Sequence, residues 1–249
     1  MLIKLKFLAA VLFFTSSWST AACLDSYSDS DLAATTELSA LRGSSQALIV
    51  TQVQGVAATL TSLKKSGSHW RAISHIPVVI GLAGFAAPGE KVEGDRKTPS
   101  GIYDLGTSFG TSNQIDSKMP YRQTTAEDKY IDDVNSAQYN TWVQGPTSAK
   151  SFESMRRTDS LYEHGIVVEY NQHPVVKGKG SAIFIHQWRG PDQGTMGCVA
   201  MERPHLMSLL TWLDPKRHPK LILNRQLPQS CSQDSREVSS EKPSPKHAK

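Results

Sequence analysis

A mainly β domain with a few helices on its edges is the fold class the sequence predicts. Short runs rich in Val, Ile and aromatic residues recur between about residues 45 and 225, and Gly, Pro and Asn bound them. Only one stretch carries a clear helical period. That length of chain has room for one domain.

The elements follow in chain order. Residues 26–41 read as an N-terminal helix or an irregular lead-in. Strand-like runs then cover Ala47 to Val53, Trp70 to Ile73, Val78 to Leu82, Ile102 to Leu105, Gly165 to Tyr170 and Ala182 to His186, and Lys220 to Leu223 closes the set. The helix is expected from Arg203 to Leu213, because Leu206, Leu209, Leu210 and Leu213 follow an i, i+3, i+4, i+7 spacing. Pro204 suits its first turn and Pro215 ends it. There is no internal repeat and no Gly-rich phosphate loop.

The two ends read differently from the body. Lys4 and Lys6, the short apolar run Phe7 to Phe14, and small residues at Thr20 and Ala22 form the pattern of a secretory leader over residues 1–22. The alternative reading is an uncleaved N-terminal anchor, but the apolar run is short of the roughly 20 residues that span a bilayer. Thr20 stands where a lipobox carries a leucine-like residue, which argues against a lipid anchor on Cys23. The mature chain is therefore expected to be exported, to the periplasm or cell envelope, without an integral membrane span. Residues 23–45 are a lead-in. Residues 225–249 are rich in Ser, Lys, Glu and Pro and are expected to be a disordered tail.

Formal net charge is +4, and loss of Lys4 and Lys6 lowers it to +2. That mild excess, with no compact basic stripe, excludes a nucleic-acid partner. The cysteines are Cys23, Cys198 and Cys231. An odd count leaves one thiol over in an oxidising compartment. Cys23 and Cys231 flank the domain, and pairing them leaves Cys198 free.

Cys198 carries the chemistry. The run Ile183-Phe184-Ile185-His186 precedes Thr195-Met196-Gly197-Cys198-Val199-Ala200-Met201. A lone cysteine is most often a small buried hydrophobe. Here a histidine lies twelve residues upstream at the end of an apolar run, and a hairpin would bring the two together. Imidazole is the base that turns a thiol into an attacking thiolate. Cys198 is thus the candidate nucleophile and His186 the candidate general base. Gly197 lets backbone amides approach a developing oxyanion, the Cys198 N–H being the natural donor. The Thr195 hydroxyl orients the imidazole or the loop. No zinc-site spacing appears, and neither metal nor cofactor is expected. A second segment, Gly94-Asp95-Arg96-Lys97-Thr98-Pro99-Ser100-Gly101-Ile102-Tyr103, reads either as a rigid loop or as a loop lining a cleft. Asp132, Asp133 and Tyr139 read as loop-shaping residues. His69, His75, His164, His173, His205 and His218 read as surface or structural.

These two segments resemble the motifs of the YkuD-type L,D-transpeptidases, and the similarity runs from about Gln46 to Asn224. Tyr130 to Asp133, Tyr139-Asn140, and Met155-Arg156-Arg157 through Asn171 resemble one branch of that family. The resemblance implies a β-sandwich-like catalytic domain over residues 46–224, with the cysteine in a cleft between loops. It implies peptidoglycan stem peptides as partners. Cys198 would attack the carbonyl before a terminal D-alanine and pass the acyl group to an amine, forming a 3→3 cross-link. Delivery to water instead would give a carboxypeptidase, endopeptidase or amidase. Two positions depart from the family pattern: Met196 replaces a histidine and Ala200 an arginine. Arg189, in the loop after His186, is the candidate substitute carboxylate clamp, since a guanidinium binds carboxylates bidentately. Trp188 is the candidate cleft wall.

Overall fold

The computed structural model describes residues 26–28, 30, 32 and 38–224. The expected leader, the tail and the Cys23–Cys231 pairing lie outside the described residues.

Thirteen strands and, within residues 38–224, one α-helix are the main elements of the described chain. The strands are β1 (Ser26–Ser28), β2 (Gln46–Gln54), β3 (Ala57–Ser66), β4 (His69–Val79), β5 (Gly101–Gly110), β6 (Tyr121–Gln123), β7 (Asp128–Ile131), β8 (Trp142–Gln144), β9 (Phe152–Ser154), β10 (His164–Val168), β11 (Phe184–Gln187), β12 (Val199–Met201) and β13 (Lys220–Leu223). The helix α1 spans Arg203–Trp212, with Pro204 in its first turn. The lead-in contributes the strand β1, helical residues at Ser30 and Leu32, and a 3-10 turn at Leu38–Leu41.

The main sheet runs β4-β12-β11-β10-β5-β13-β2-β3, and β3 pairs back onto β4, so the pairings close on themselves. β1 adds to β4 and β6 to β5. A separate sheet, β8-β7-β9, completes the mainly β architecture. Two of the expected runs merge into the single strand β4. Pro77, between them, falls where the second edge of β4 has no partner strand, since β1 covers 69–71 and β12 covers 78–79. A proline there breaks no ladder bond on that edge.

Both faces of the central strands are buried, and the two-residue period sorts their side chains. Leu48, Val50, Leu221, Leu223, Ile166, Val168, Ile185, Val199 and Met201 point into the principal core, which α1 covers with Leu206, Leu209, Leu210 and Leu213. Ala47, Ile49 and Ile222 point the other way, into a cluster with Trp70, Leu63, Tyr27, Leu32 and Leu41. Phe184, Val167 and Cys198 face a third cluster with Phe109, Tyr130, Met155 and Tyr162. Each fully buried Val, Leu, Ile, Phe or Met side chain among them contributes about 1.5–3 kcal/mol relative to exposure. The alternation also places the chemistry: with Ile185 and Val199 committed to the core, Phe184, His186, Cys198 and Ala200 share the opposite face.

Candidate active site

Cys198 and His186 come together through parallel strands, not a hairpin. β11 and β12 pair in parallel, with Ile185 opposite Val199 and His186 opposite Ala200. The segment 188–198 therefore has to travel back along the sheet before β12 begins, as a parallel connection requires. That return loop forms one rim of a cleft of about 220 Å³, lined by Cys198, His186, Ala200, Thr195, Met196, Gly197, Trp188 and Arg189 among others.

The cysteine turn is held from two sides. Thr195 Oγ1 donates to the Cys198 carbonyl at 2.7 Å and accepts the Gly197 N–H at 3.1 Å. Its hydroxyl thus shapes the loop and does not reach the imidazole. Thr98 Oγ1 also donates to the Cys198 carbonyl, at 3.4 Å, and accepts the Gly81 N–H at 2.9 Å. Gly197 has φ +146°, and a Cβ there would stand 3.0 Å from the Lys97 carbonyl oxygen. Backbone of this kind favours glycine. The 94–103 loop is accordingly a buttress behind the cysteine turn, not a wall of the cleft. Asp95 fixes it by accepting from Lys91 Nζ (2.5 Å), the Lys97 N–H (2.8 Å) and the Val92 N–H (2.9 Å). Burial opposes ionisation of Asp95, but these bonds hold its carboxyl below the usual range.

The Cys198 thiol donates to the Ala182 carbonyl and accepts the Phe184 N–H, both at 3.4 Å. Burial pushes the thiol up to about 12 despite that N–H bond. His186 Nδ1 lies 2.6 Å from the Gln187 carbonyl oxygen. A carbonyl only accepts, so Nδ1 carries the proton and Nε2 keeps its lone pair. Burial pushes His186 down to about 4. The resting pair is a neutral thiol and a neutral imidazole, and the base is in its proton-accepting form throughout the neutral range.

An aromatic wall fixes the imidazole. The Tyr162 ring meets His186 edge-on at 5.1 Å and Phe184 at 5.6 Å. Phe184 in turn meets Phe109 at 5.4 Å and Tyr130 at 5.0 Å, and Trp142 closes the cluster against Phe109 at 5.6 Å. Edge-to-face pairs at these separations add about 0.5–1.5 kcal/mol each beyond their buried area. Gly165, in register with both His186 and Phe109, makes the room. A Cβ on it would stand 2.4 Å from Phe109 Cζ.

Trp188 lines the cleft, and so does Arg189, whose side chain is 57% exposed and whose Nη2 meets Asp159 at 3.1 Å. The stronger guanidinium site is one the sequence did not single out. Arg157 lines the cleft, grips Asp159 through two bonds of 2.8 and 2.7 Å, meets Glu153 at 3.2 Å and lies 5.2 Å over the Tyr162 ring. The Arg157 fork holds the Asp159 carboxyl far below its ordinary value. Ala200, where an arginine would project beside His186, is buried and leaves that space to the cleft. Asp133 shapes its loop by accepting the Asn135 and Lys150 N–H groups at 3.0 and 2.8 Å. Asp132, the neighbour read in the same way, lines the cleft instead.

A thiol, an imidazole with a free Nε2 and a turn held open by glycine form a constellation for acyl transfer. The model of the L,D-transpeptidase catalytic domain known as YkuD matches residues 55–222. No curated protein gives a significant match. Among solved structures, that of Bdellovibrio bacteriovorus Bd1075 is similar, at 14% identity and a TM-score of 0.42, covering 82% of this chain. This chain spans 53% of that one. With the family model covering most of the described chain and the Cys198–His186 cleft inside its bounds, the chain belongs to the YkuD family of L,D-transpeptidase catalytic domains.

Proposed function

We propose that this chain is an exported cysteine acyltransferase that cross-links peptidoglycan stem peptides. The observation that carries the reading is the shared face of β11 and β12, which puts Cys198 and a correctly tautomerised His186 in one cleft. Export rests on the leader-like pattern of residues 1–22.

The geometry supports the following steps. His186 Nε2 takes the thiol proton as Sγ attacks the carbonyl carbon before the terminal D-alanine. Because the resting thiol and imidazole are both neutral, the proton moves during attack and not before it. The Gly197 N–H is already bonded to Thr195, so the Cys198 N–H is the amide of this turn that faces the oxyanion. The C–N bond then breaks, the imidazolium gives its proton to the leaving amine, and D-alanine departs. The thioester is attacked by the amine of a second stem, with His186 removing the amine proton. Collapse expels the Cys198 thiolate, which takes the proton back from His186. Arg189, with its Nη2 on Asp159 and the rest of its guanidinium exposed, is the proposed contact for the terminal carboxylate. Trp188 is the proposed wall beside the leaving D-alanine.

Incubation with tetrapeptide-stem muropeptides, read by mass spectrometry, tests this. The expected products are dimers that have lost D-alanine. Tripeptide monomers alone would assign water as the acceptor and overturn cross-linking. Undiminished turnover by Cys198→Ala would overturn the acyl-enzyme itself.

A further inference from the structure

The sulfur of Cys198 is steered from the β11 side as well as from its own turn. Its thiol donates to the Ala182 carbonyl and accepts the Phe184 N–H, both at 3.4 Å, so two backbone groups cradle Sγ. The sheet fixes Phe184, in register with Val167, and the Ile183 carbonyl takes the Val168 N–H. Ala182 precedes that ladder. It has φ +52°, a left-handed backbone that glycine adopts freely and that a Cβ disfavours. Such a conformation persists where its surroundings impose it, and it concentrates at functional sites.

Asn140 imposes it here. The Ala182 N–H donates to Asn140 Oδ1 at 3.1 Å. Asn140 Nδ2 donates to the Tyr170 carbonyl at 3.0 Å and to the Asn171 carbonyl at 2.7 Å. Carbonyls only accept, so these two bonds fix which end of the carboxamide faces Ala182. Asn140 is 3% exposed and belongs to the turn after β7, where its own N–H donates to the Ile131 carbonyl at 2.7 Å. The loop of the small β8-β7-β9 sheet thus joins the end of β10 to the start of β11 through one side-chain amide. Thr195 and Thr98 hold the Cys198 carbonyl. The Asn140–Ala182 bond governs where the sulfur rests.

Resting on the acyl-transfer reading, we infer that Asn140 is a positioning residue for the nucleophile: it holds Ala182 left-handed, which aims the Ala182 carbonyl at Sγ and selects the rotamer from which Cys198 attacks. A thiol is a weak donor and a weak acceptor, so the sulfur keeps its place only while both backbone groups stay aimed at it. A thiol that loses them turns among the staggered rotamers, and only one of these keeps the aim. Asn140 does not line the cleft, so its loss acts on the chemical step and not on the binding of the stem.

The test reads the thiol directly. The infrared S–H stretch of Cys198 is isolated as the difference between the full mature chain and its Cys198→Ala variant, and it lies lower when the thiol donates to a carbonyl. Asn140→Gly suits the φ of +57° at that position and removes only the side chain. In it the stretch is expected to move up towards that of a free thiol. Its kcat for D-alanine release from a tetrapeptide stem is expected to fall about tenfold or more, with KM changed by less than about twofold. Adding Ala182→Gly, for which the left-handed backbone costs little, is expected to recover part of that kcat. Ala182→Val leaves Asn140 and its carbonyl partners in place but disfavours φ +52°, so it decides the claim if thermal melting shows Asn140→Gly unfolded. It too is expected to raise the stretch and lower kcat. An unmoved stretch in the folded variant, wild-type kcat, a loss confined to KM, or a double variant no better than Asn140→Gly would overturn the positioning role. If the wild-type protein releases no D-alanine, the acyl-transfer reading fails, while the shift of the S–H stretch still decides what places the sulfur.

Discussion

Replacing Thr195 by valine removes one hydroxyl and keeps the side chain's shape. That hydroxyl makes two bonds, donating to the Cys198 carbonyl at 2.7 Å and accepting the Gly197 N–H at 3.1 Å. Each is worth about 0.5–1.5 kcal/mol net, and a buried partner left unmatched costs about 1–3 kcal/mol. Thr98 still reaches the Cys198 carbonyl at 3.4 Å, so the carbonyl is not abandoned. The Gly197 N–H has no such substitute. Unfolding free energy should therefore fall by about 1–3 kcal/mol, measured by urea denaturation at pH 7. The effect on rate should be larger. A freed Gly197 amide relaxes the turn that aims both Sγ and the Cys198 N–H, and a displacement near 1 Å costs on the order of 100-fold. We expect kcat/KM for D-alanine release to fall about 10- to 100-fold in Thr195→Val, and Thr195→Ser, which keeps the hydroxyl, to restore most of it. Wild-type kcat/KM in Thr195→Val, with the fold intact, would refute the claim that this hydroxyl sets the nucleophile's position.

Three further outcomes are expected. Gly165→Ala drives a Cβ to 2.4 Å from the Phe109 ring, so the aromatic wall behind His186 must shift, costing about 1–3 kcal/mol by the overpacking rule; thermal melting checks it, and an unchanged Tm would contradict the packing. His186 titrates near 4 when folded against about 6.5 unfolded, so between those values the unfolded chain binds a proton that the folded chain refuses. Stability should fall by about 3 kcal/mol as pH drops from 6.5 to 4 and this contribution should level off below 4; urea midpoints for His186→Asn should lack that part of the slope, and identical slopes would refute the desolvated imidazole. Arg157→Lys keeps a charge but loses the two-pronged grip on Asp159, and should lower kcat/KM while Arg157→Ala lowers it further; equal kinetics for Lys and Arg would show that the fork does no positioning.

The sequence exposed the nucleophile more readily than its surroundings. Cys198, Gly197, Thr195 and His186 sit within thirteen residues, and their residue types state the chemistry. The strand direction was not legible, because a spacer of that length serves a hairpin or a parallel return equally well, and only the pairing of His186 with Ala200 decides. β3 went unread because its centre is Leu60-Thr61-Ser62-Leu63, where two buried polar residues break the Val/Ile signal. β12 is three residues long and hides inside the cysteine motif. Arg157 and Asp132 belong to the segments that resembled one branch of the family, yet nothing local tells that they reach the cleft. Their position depends on β7 and β9 folding over the aromatic cluster, which is a long-range event. Arg189 shows the converse: proximity in sequence to His186 did put it at the cleft, but Asp159 holds part of its guanidinium.

The central claim is a covalent thioester on Cys198. Mixing the mature protein with a tetrapeptide-stem substrate, quenching in acid and recording the intact mass tests it most directly. The account predicts an adduct equal to the stem minus D-alanine, mapped to the peptide containing Cys198, absent in Cys198→Ala and diminished in His186→Asn. Release of D-alanine at the wild-type rate by Cys198→Ala, or an adduct mapped to any other residue, would contradict it.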